Sequence, residues 1–366
     1  MFPLLHLPIL AFDSLYKFLD DPEKILLSQC SKRLKTIIRD REGPRKRTLE
    51  VYIYYEEIII TLLEIKKIPK RTFQWTLSKE NDKLEFLDRN IVIDNTPWKV
   101  AELTDCFYRR WLTVLEPEAH DSSLLNLLAG FQSVFNLPVH KVYSENRSVV
   151  SFAKLFKETS ILHSAKSVSM GSSAIHPETM SYIMENFATE NLTIFGYAGR
   201  EYSYQGPLNF SNVHFACATW MTPEVFLTLT STCKQMELES AVQISDMALN
   251  QFIKDWMAGN NRTLEFIEVS RKWSYHVSNF RGFPDPATPL DTSVILEGIE
   301  YAPGAKKRTN VSKYFNSFHN YEDGVDIRRS DGLLATVLVI QESCMPQFSF
   351  TVWYDPEPNL VEALAN

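Results

Sequence analysis

The five cysteines and eight histidines are the residues of this chain best suited to nucleophilic or metal chemistry. Their spacing argues against both roles. Cys30, Cys106, Cys217, Cys233 and Cys344 are odd in number and far apart, with no C-x-x-C pair. Neither a zinc ribbon nor a disulfide framework is signalled. No two histidines stand four residues apart, and His163 and His176 lack the helical phasing that would bring them to one metal. The chain contains no G-x-x-x-x-G-K-[ST], H-E-x-x-H, G-x-S-x-G or H-R-D pattern. Those motifs carry phosphate binding, zinc hydrolysis, acyl transfer and phosphoryl transfer. Cys233, beside Lys234, is the best candidate for a reactive thiolate. It closes an apolar helical run, however, which favours a buried and inert thiol. Arg328 and Arg329 are a candidate anion site. Neighbours on a strand point to opposite faces, so one should face water while the other packs. Trp220 and Trp256 flank successive repeat units and read as core aromatics. The expectation is a protein that is not an enzyme, with no cofactor and no metal.

The elements that carry these residues follow from periodicity. Residues 9–39 read as short helices, with apolar positions at Ile9, Phe12, Leu15, Phe18 and Leu19, then at Ile25, Leu26, Leu27, Cys30 and Leu34. Asp20-Asp21-Pro22 breaks the two runs and starts the second. About 30 residues bury little core alone, so this unit should lean on a neighbour or a partner. Residues 47–97 are rich in β-branched and aromatic residues and read as a small antiparallel sheet. From 140 to 270, strand-like segments centre on Val168, Thr193, Ala216, Glu237 and Phe266. Helix-like runs lie between several of them: 176–188 with Pro177, 222–233 with Thr222 and Pro223, and 245–257 opening at Ser245. The run 149–159 extends the series upstream. A strand and helix recurring every 20-odd residues is the period of a leucine-rich-repeat-like solenoid, here without the asparagine and leucine consensus. A doubly wound sheet is the rival, but no G-x-G-x-x-G follows its first strand. VILEGIEY (294–301) reads as β, 303–325 as a mobile polar loop, and 326–354 as a closing hairpin with a two-residue Asp331-Gly332 turn.

Charge and hydropathy narrow the class. The net charge of −7 points away from a dedicated nucleic-acid binder. Residues 31–48 run against that background, with eight basic residues and two acidic ones. The stretch reads as a nuclear-localisation or nucleic-acid patch, or as a solvated helix end with a charged linker. Five N-x-[ST] sequons occur, at Asn146, Asn191, Asn209, Asn261 and Asn310, and matter only in a secreted chain. The start MFPLLHLPILAF lacks a basic n-region and a small-x-small cleavage site, so it does not read as a signal peptide. No apolar run reaches the roughly 18 residues of a bilayer span. The expectation is an intracellular chain, cytoplasmic or nuclear, with reduced thiols.

Two stretches resemble a known family. Leu7-Pro8, Phe12, Leu15, Leu19, Asp20, Leu26, Leu27, Cys30, Ser31, Lys32 and Arg33 resemble an F-box, with Leu34 where a Trp is often found. Residues 219–269 are similar to the second type of F-box-associated domain found beside nematode F-boxes. The similarity rests on Trp220-Met221-Thr222, the Leu227-to-Cys233 run, Leu249-Asn250-Gln251-Phe252-Ile253, Trp256 and Leu264. The segments 326–337 and 348–353 resemble the end of those proteins. The resemblance implies a non-catalytic adaptor of an SCF (Skp–cullin–F-box) ubiquitin ligase. Its F-box would bind a Skp-family subunit, and through it a cullin, by Pro3, Leu4, Leu7, Pro8, Phe12, Leu15, Leu19, Leu26, Leu27 and Cys30. Its C-terminal domain would hold a target protein, with neither nucleic acid nor membrane as partner. The domains then fall at 1–44 (F-box), 45–135 (β-rich connection), 136–275 (strand–helix repeats) and 276–366 (polar loop and closing hairpin of the same domain). A ubiquitin-independent scaffold with a degenerate F-box is the alternative, and a small-molecule enzyme on an α/β sheet a third.

Overall fold

A computed structural model describes residues 9–19, 21–42, 47–54, 57–64, 70–78, 89–93, 96–104, 109–114, 128–131, 137–145, 162, 165–171, 175–187, 189–199, 202–204, 206, 208–271, 289–304, 309–311, 318–320, 323–342 and 345–354. The fold is mixed α/β, with many strands and few helices among these residues. Two compact units divide it, Met1–Lys166 and Ser167–Asn366.

The first unit opens with three short helices, α1 (Ile9–Phe18), α2 (Asp21–Gln29) and α3 (Lys32–Glu42). Asp21 and Glu23 place negative charge in the first turn of α2, where the helix dipole favours it. Ser31 Oγ accepts the Leu34 amide at 3.1 Å and starts α3. The expected end of the first domain at residue 44 lies outside the described residues. Among the described residues seven strands follow: β1 (Arg47–Ile53), β2 (Glu57–Glu64), β3 (Lys70–Ser78), β4 (Arg89–Ile93), β5 (Thr96–Thr104), β6 (Arg109–Val114) and β7 (Val139–Glu145). Their order is β7-β1-β2-β3-β6-β5-β4. β1, β2 and β3 pair antiparallel as expected, but β7 joins β1, and β6 joins β3, in parallel. Leu49, Val51, Ile60, Leu62, Trp75, Val139 and Val142 fill one face without exposure. That alternation holds the register, because a one-residue slip would exchange the set for the polar side chains of the other face, among them Thr48, Thr61, Gln74 and Thr76.

The second unit is built on β8 (Ser167–Gly171), β9 (Asn191–Ile194), β10 (Asn212–Phe215), β11 (Gln235–Leu238) and β12 (Phe266–Ser270). They lie side by side in chain order, all parallel. Ser167, Asn191, Asn212, Gln235 and Phe266 stand in one row. The helices are α4 (Pro177–Asn186), α5 (Pro223–Thr230) and α6 (Asp246–Met257). Thr222 and Ser245 cap the last two, accepting the Val225 and Ala248 amides at 3.4 and 3.2 Å. The alternation is incomplete. Residues 195–211, between β9 and β10, hold no helix among those described. There Tyr202, Tyr204, Leu208 and Phe210 are buried instead. Bulky side chains on irregular backbone thus cover that part of the sheet.

Three expectations differ from the fold. Residues 292–295 form a helical turn, α7 (Thr292–Ile295), rather than a strand. Asp291 Oδ1 accepts the Ser293 and Val294 amides, and this cap outweighs the β-branched composition. The stretch 303–325, read as a polar loop, follows the start of β13 (Ala302–Pro303) and contains β14 (Thr309–Val311) and β15 (Phe318–Asn320), which pair with each other. β16 (Val325–Arg328) and β17 (Leu334–Glu342) do form a hairpin, but Arg328 pairs with Leu334, which leaves residues 329–333 as the turn. Gly332, at φ +91°, takes its left-handed position. β18 (Met345–Trp353) pairs antiparallel with both β17 and β12 and so closes the parallel series. The expected helix at 149–159 lies outside the described residues.

Candidate functional site

The N-terminal helices separate apolar side chains into an inner and an outer set. Phe12 and Tyr16, one turn apart on α1, are buried and stack with centroids 6.3 Å apart. The Arg41 guanidinium of α3 lies 4.9 Å from the Phe12 centroid while its Nε donates to Asp13 Oδ1 at 2.6 Å. Lys24 of α2 sits 4.9 Å over the Tyr16 ring. Leu34 and Ile38 of α3 are buried as well. Leu15 and Phe18 of α1 stand outside this inner set. Leu15 is 37% exposed and Phe18 86%. Residues three apart are neighbours on a helix surface, so these two form one apolar ridge facing water.

The proposed adaptor contacts fall unevenly on this arrangement. Leu15 and Cys30 are exposed, while Leu19 and Leu27 are half-buried. Phe12 of α1 is buried, its ring under the Arg41 guanidinium of α3. Leu26 lies on α2, its side chain undescribed. Pro3, Leu4, Leu7 and Pro8 lie outside the described residues. The most exposed large apolar side chain of the described set, Phe18, was absent from the expected contacts. Its phase was legible: it falls off the 12/16 stripe that the helix buries.

The second unit places its chemistry-bearing residues in the core. Trp220 packs edge-on against Phe215 and Tyr202, with centroids 5.5 and 5.3 Å apart. Phe226 meets Phe252, and Phe252 and Trp256 both meet Phe350 of β18, at 5.9, 4.9 and 5.1 Å. One aromatic chain thus ties α5, α6 and the closing strand together. Cys233 is buried, its Sγ donating to Phe210 O at 3.1 Å, and burial pushes its pKa up to about 12. Burial also raises Cys217. Neither thiol is poised as a thiolate. Tyr202 is pushed up to about 12, first by burial, so it stays a phenol.

Polar side chains hold the corners. Asn261 is buried and donates from Nδ2 to Thr230 O (2.6 Å) and Cys233 O (2.9 Å). Its Oδ1 accepts the Thr263 amide, the Thr263 hydroxyl and the Leu264 amide at 2.9–3.0 Å. It joins the end of α5 to the entry of β12. Asn250 donates to Ile295 O and Glu297 O at 2.9 and 3.0 Å and pins α7 to α6. Arg271 reaches Ile244 O, Pro289 O and Asp246 Oδ1 at 2.6–3.0 Å. Of the arginine pair, Arg328 is exposed and Arg329 buried. Arg329 grips Asp331 through Nε and Nη2, donates to Asn261 O at 3.0 Å and covers Trp256 at 5.3 Å. That contact holds the Asp331 carboxyl down at about 2. The expected split of the pair is observed, and Arg329 is structural. The role of Asn261 was hidden behind its sequon.

Among the described residues, no three His, Cys, Asp or Glu side chains group closely enough to hold a metal ion. No helix among them is long and apolar enough to cross a membrane.

Known proteins match parts of the chain. A family described as F-box associated matches residues 203–269. The match spans β10 to β12, with Trp220, the buried Cys233, Asn250 and Trp256. An uncharacterized protein of Caenorhabditis elegans is 25% identical over 171 residues, covering 45% of this chain and 35% of that protein. The chain thus spans about a third of the relative it matches. No solved structure is significantly similar to it.

Proposed function

We propose that the chain is a non-catalytic substrate-recognition subunit of an SCF-type ubiquitin ligase. In this reading α1–α3 are an F-box that docks on a Skp-family adaptor and, through it, on a cullin. The parallel strands and helices of the second unit form a divergent leucine-rich-repeat-like body that presents a target protein. The match to the F-box-associated family at 203–269 carries the proposal. Such domains accompany F-boxes, and the stretch before it has the residue types of one. The apolar ridge of Leu15 and Phe18 supports the docking half. Two large apolar side chains left in water on a short helix suit a partner groove, where a few central anchors supply most of the binding energy. Val242 and Met247, exposed between β11 and the first turn of α6, are apolar surface on the target-binding half.

The test is co-expression of the full chain with a Skp-family adaptor, followed by size-exclusion chromatography. One-to-one co-elution, lost in Leu7→Asp with Leu15→Asp, is the expected result. A folded chain that elutes alone would favour the ubiquitin-independent scaffold, the reading that Leu34 in place of Trp allows. Leu34 is buried in the helical unit, so it offers little surface to a partner.

A further inference from the structure

The first unit carries a feature that the docking reading does not use. The β1/β7 pair buries Leu49, Val51, Val139 and Val142 on one face. On its other face stand Glu50, Tyr52 and Tyr54 from one chain segment, with Lys141, Tyr143 and Glu145 from the other. All are half-buried or exposed. Tyr52 and Tyr54 stack nearly parallel, with centroids 6.3 Å apart and planes 4° apart. Tyr143 closes the group at 6.1 Å from Tyr52 and 5.8 Å from Tyr54.

Cross-strand packing explains only part of this group. Tyr52 and Tyr143 are paired in register, and such pairs stabilise sheets. Tyr54, however, lies beyond Ile53, the last residue of β1, whose partner Ser144 is the last in the ladder. The third ring therefore extends an aromatic surface past the hydrogen-bonded sheet. Carboxylates stand at both ends. Glu50 Oε2 accepts the Tyr52 hydroxyl at 2.6 Å. Glu145 is exposed, and its charge, after burial, raises the Tyr143 pKa. The rings already take one cation: Lys141 Nζ lies 5.7 Å from the Tyr52 centroid.

We propose that Tyr52, Tyr54 and Tyr143, with Glu50 and Glu145, form a docking surface for a basic segment of a partner protein. Arginine or lysine side chains of that segment would lie over the Tyr54 and Tyr143 rings and toward Glu145. The electron-rich ring faces and the flanking carboxylates both favour positive charge. Lys141 shows where such a group sits and holds the Tyr52 end. The proposal uses no residue of the adaptor-docking helices, so it holds or fails independently of the ubiquitin-ligase reading.

The test uses the full chain and a fluorescein-labelled hexa-arginine peptide, read by anisotropy at about 0.15 M salt, where long-range charge effects are screened. Tyr54→Ser with Tyr143→Ser should weaken binding about tenfold, at roughly two- to fivefold for each half-buried ring. Tyr54→Phe with Tyr143→Phe should stay within about twofold of the parent, because the rings remain. Tyr54→Ser alone lies outside the ladder and keeps the test valid if the double variant unfolds. It should cost about threefold. Failure of the parent to bind would overturn the proposal. So would an equal loss in Glu239→Gln on the second unit, which would mean that only net charge attracts the peptide. Tighter binding of labelled oligouridylate than of the peptide would overturn it too.

Discussion

Replacing Asn261 with Ala tests whether one buried side chain ties the end of α5 to β12. Asn261 satisfies four backbone groups: the Thr230 and Cys233 carbonyls and the Thr263 and Leu264 amides. Thr263 is exposed, so water replaces Asn261 at its amide. Leu264, Cys233 and Thr230 are buried. A buried group left without a partner costs about 1–3 kcal/mol, and partial relaxation toward water lowers the sum. The expected loss is about 2–4 kcal/mol. The assay is urea unfolding of protein carrying 5-fluorotryptophan, followed at the fluorine resonances of Trp220 and Trp256. Both rings are buried in the second unit and report on it alone. The transition at both resonances should move to lower urea with an unchanged slope. Asn261→Asp should be no better, since it loses both donors and sets a carboxylate against two carbonyls. A loss below about 0.5 kcal/mol for Asn261→Ala would refute the reasoning, since that is the scale of ordinary surface substitutions.

Other consequences follow from the same geometry. The Asp331 carboxyl is held at about 2, chiefly by its hydrogen bonds from Arg329. A depressed carboxylate stabilises the fold above its unfolded pKa, near 4, and loses that contribution as pH falls through the folded value. The stability difference between parent and Asp331→Asn should therefore be constant above about pH 5 and shrink between pH 4 and pH 2 in acid-unfolding curves. Brief alkylation with iodoacetamide at neutral pH, followed by peptide mapping, should label the exposed Cys30 well before Cys217 or Cys233. Gly332→Ala, at φ +91°, should lower thermal stability by about 1 kcal/mol, since the turn needs a left-handed residue.

The parallel core was legible because its signals are local. Pro177, Thr222-Pro223 and Ser245 mark helix starts, and the apolar positions of each strand repeat with period two. No helix-like run was read between β9 and β10 and none is described there, but the burial of Tyr202, Tyr204, Leu208 and Phe210 was not legible, because they are ordinary loop-sequence residues until their surroundings are known. The parallel pairing of β1 with β7 is non-local, and no residue type announces it. Asp291 was read past because β-branched residues follow it, yet a cap with two amides in reach decides a four-residue helix. The docking residues were legible as types but not as faces. Phe12 and Phe18 are the same residue type, and helical phase separates them: Phe12 shares the buried stripe with Tyr16, under Arg41, while Phe18 falls off it into water.

Isothermal titration of the purified full chain with a Skp-family adaptor tests the adaptor reading most directly, with Leu15→Asp/Phe18→Asp run beside the parent. Substituting two central anchors should weaken binding by at least about 100-fold, while the circular dichroism of the variant matches the parent. Equal affinity in parent and variant, or no heat from the parent at all, would contradict the account.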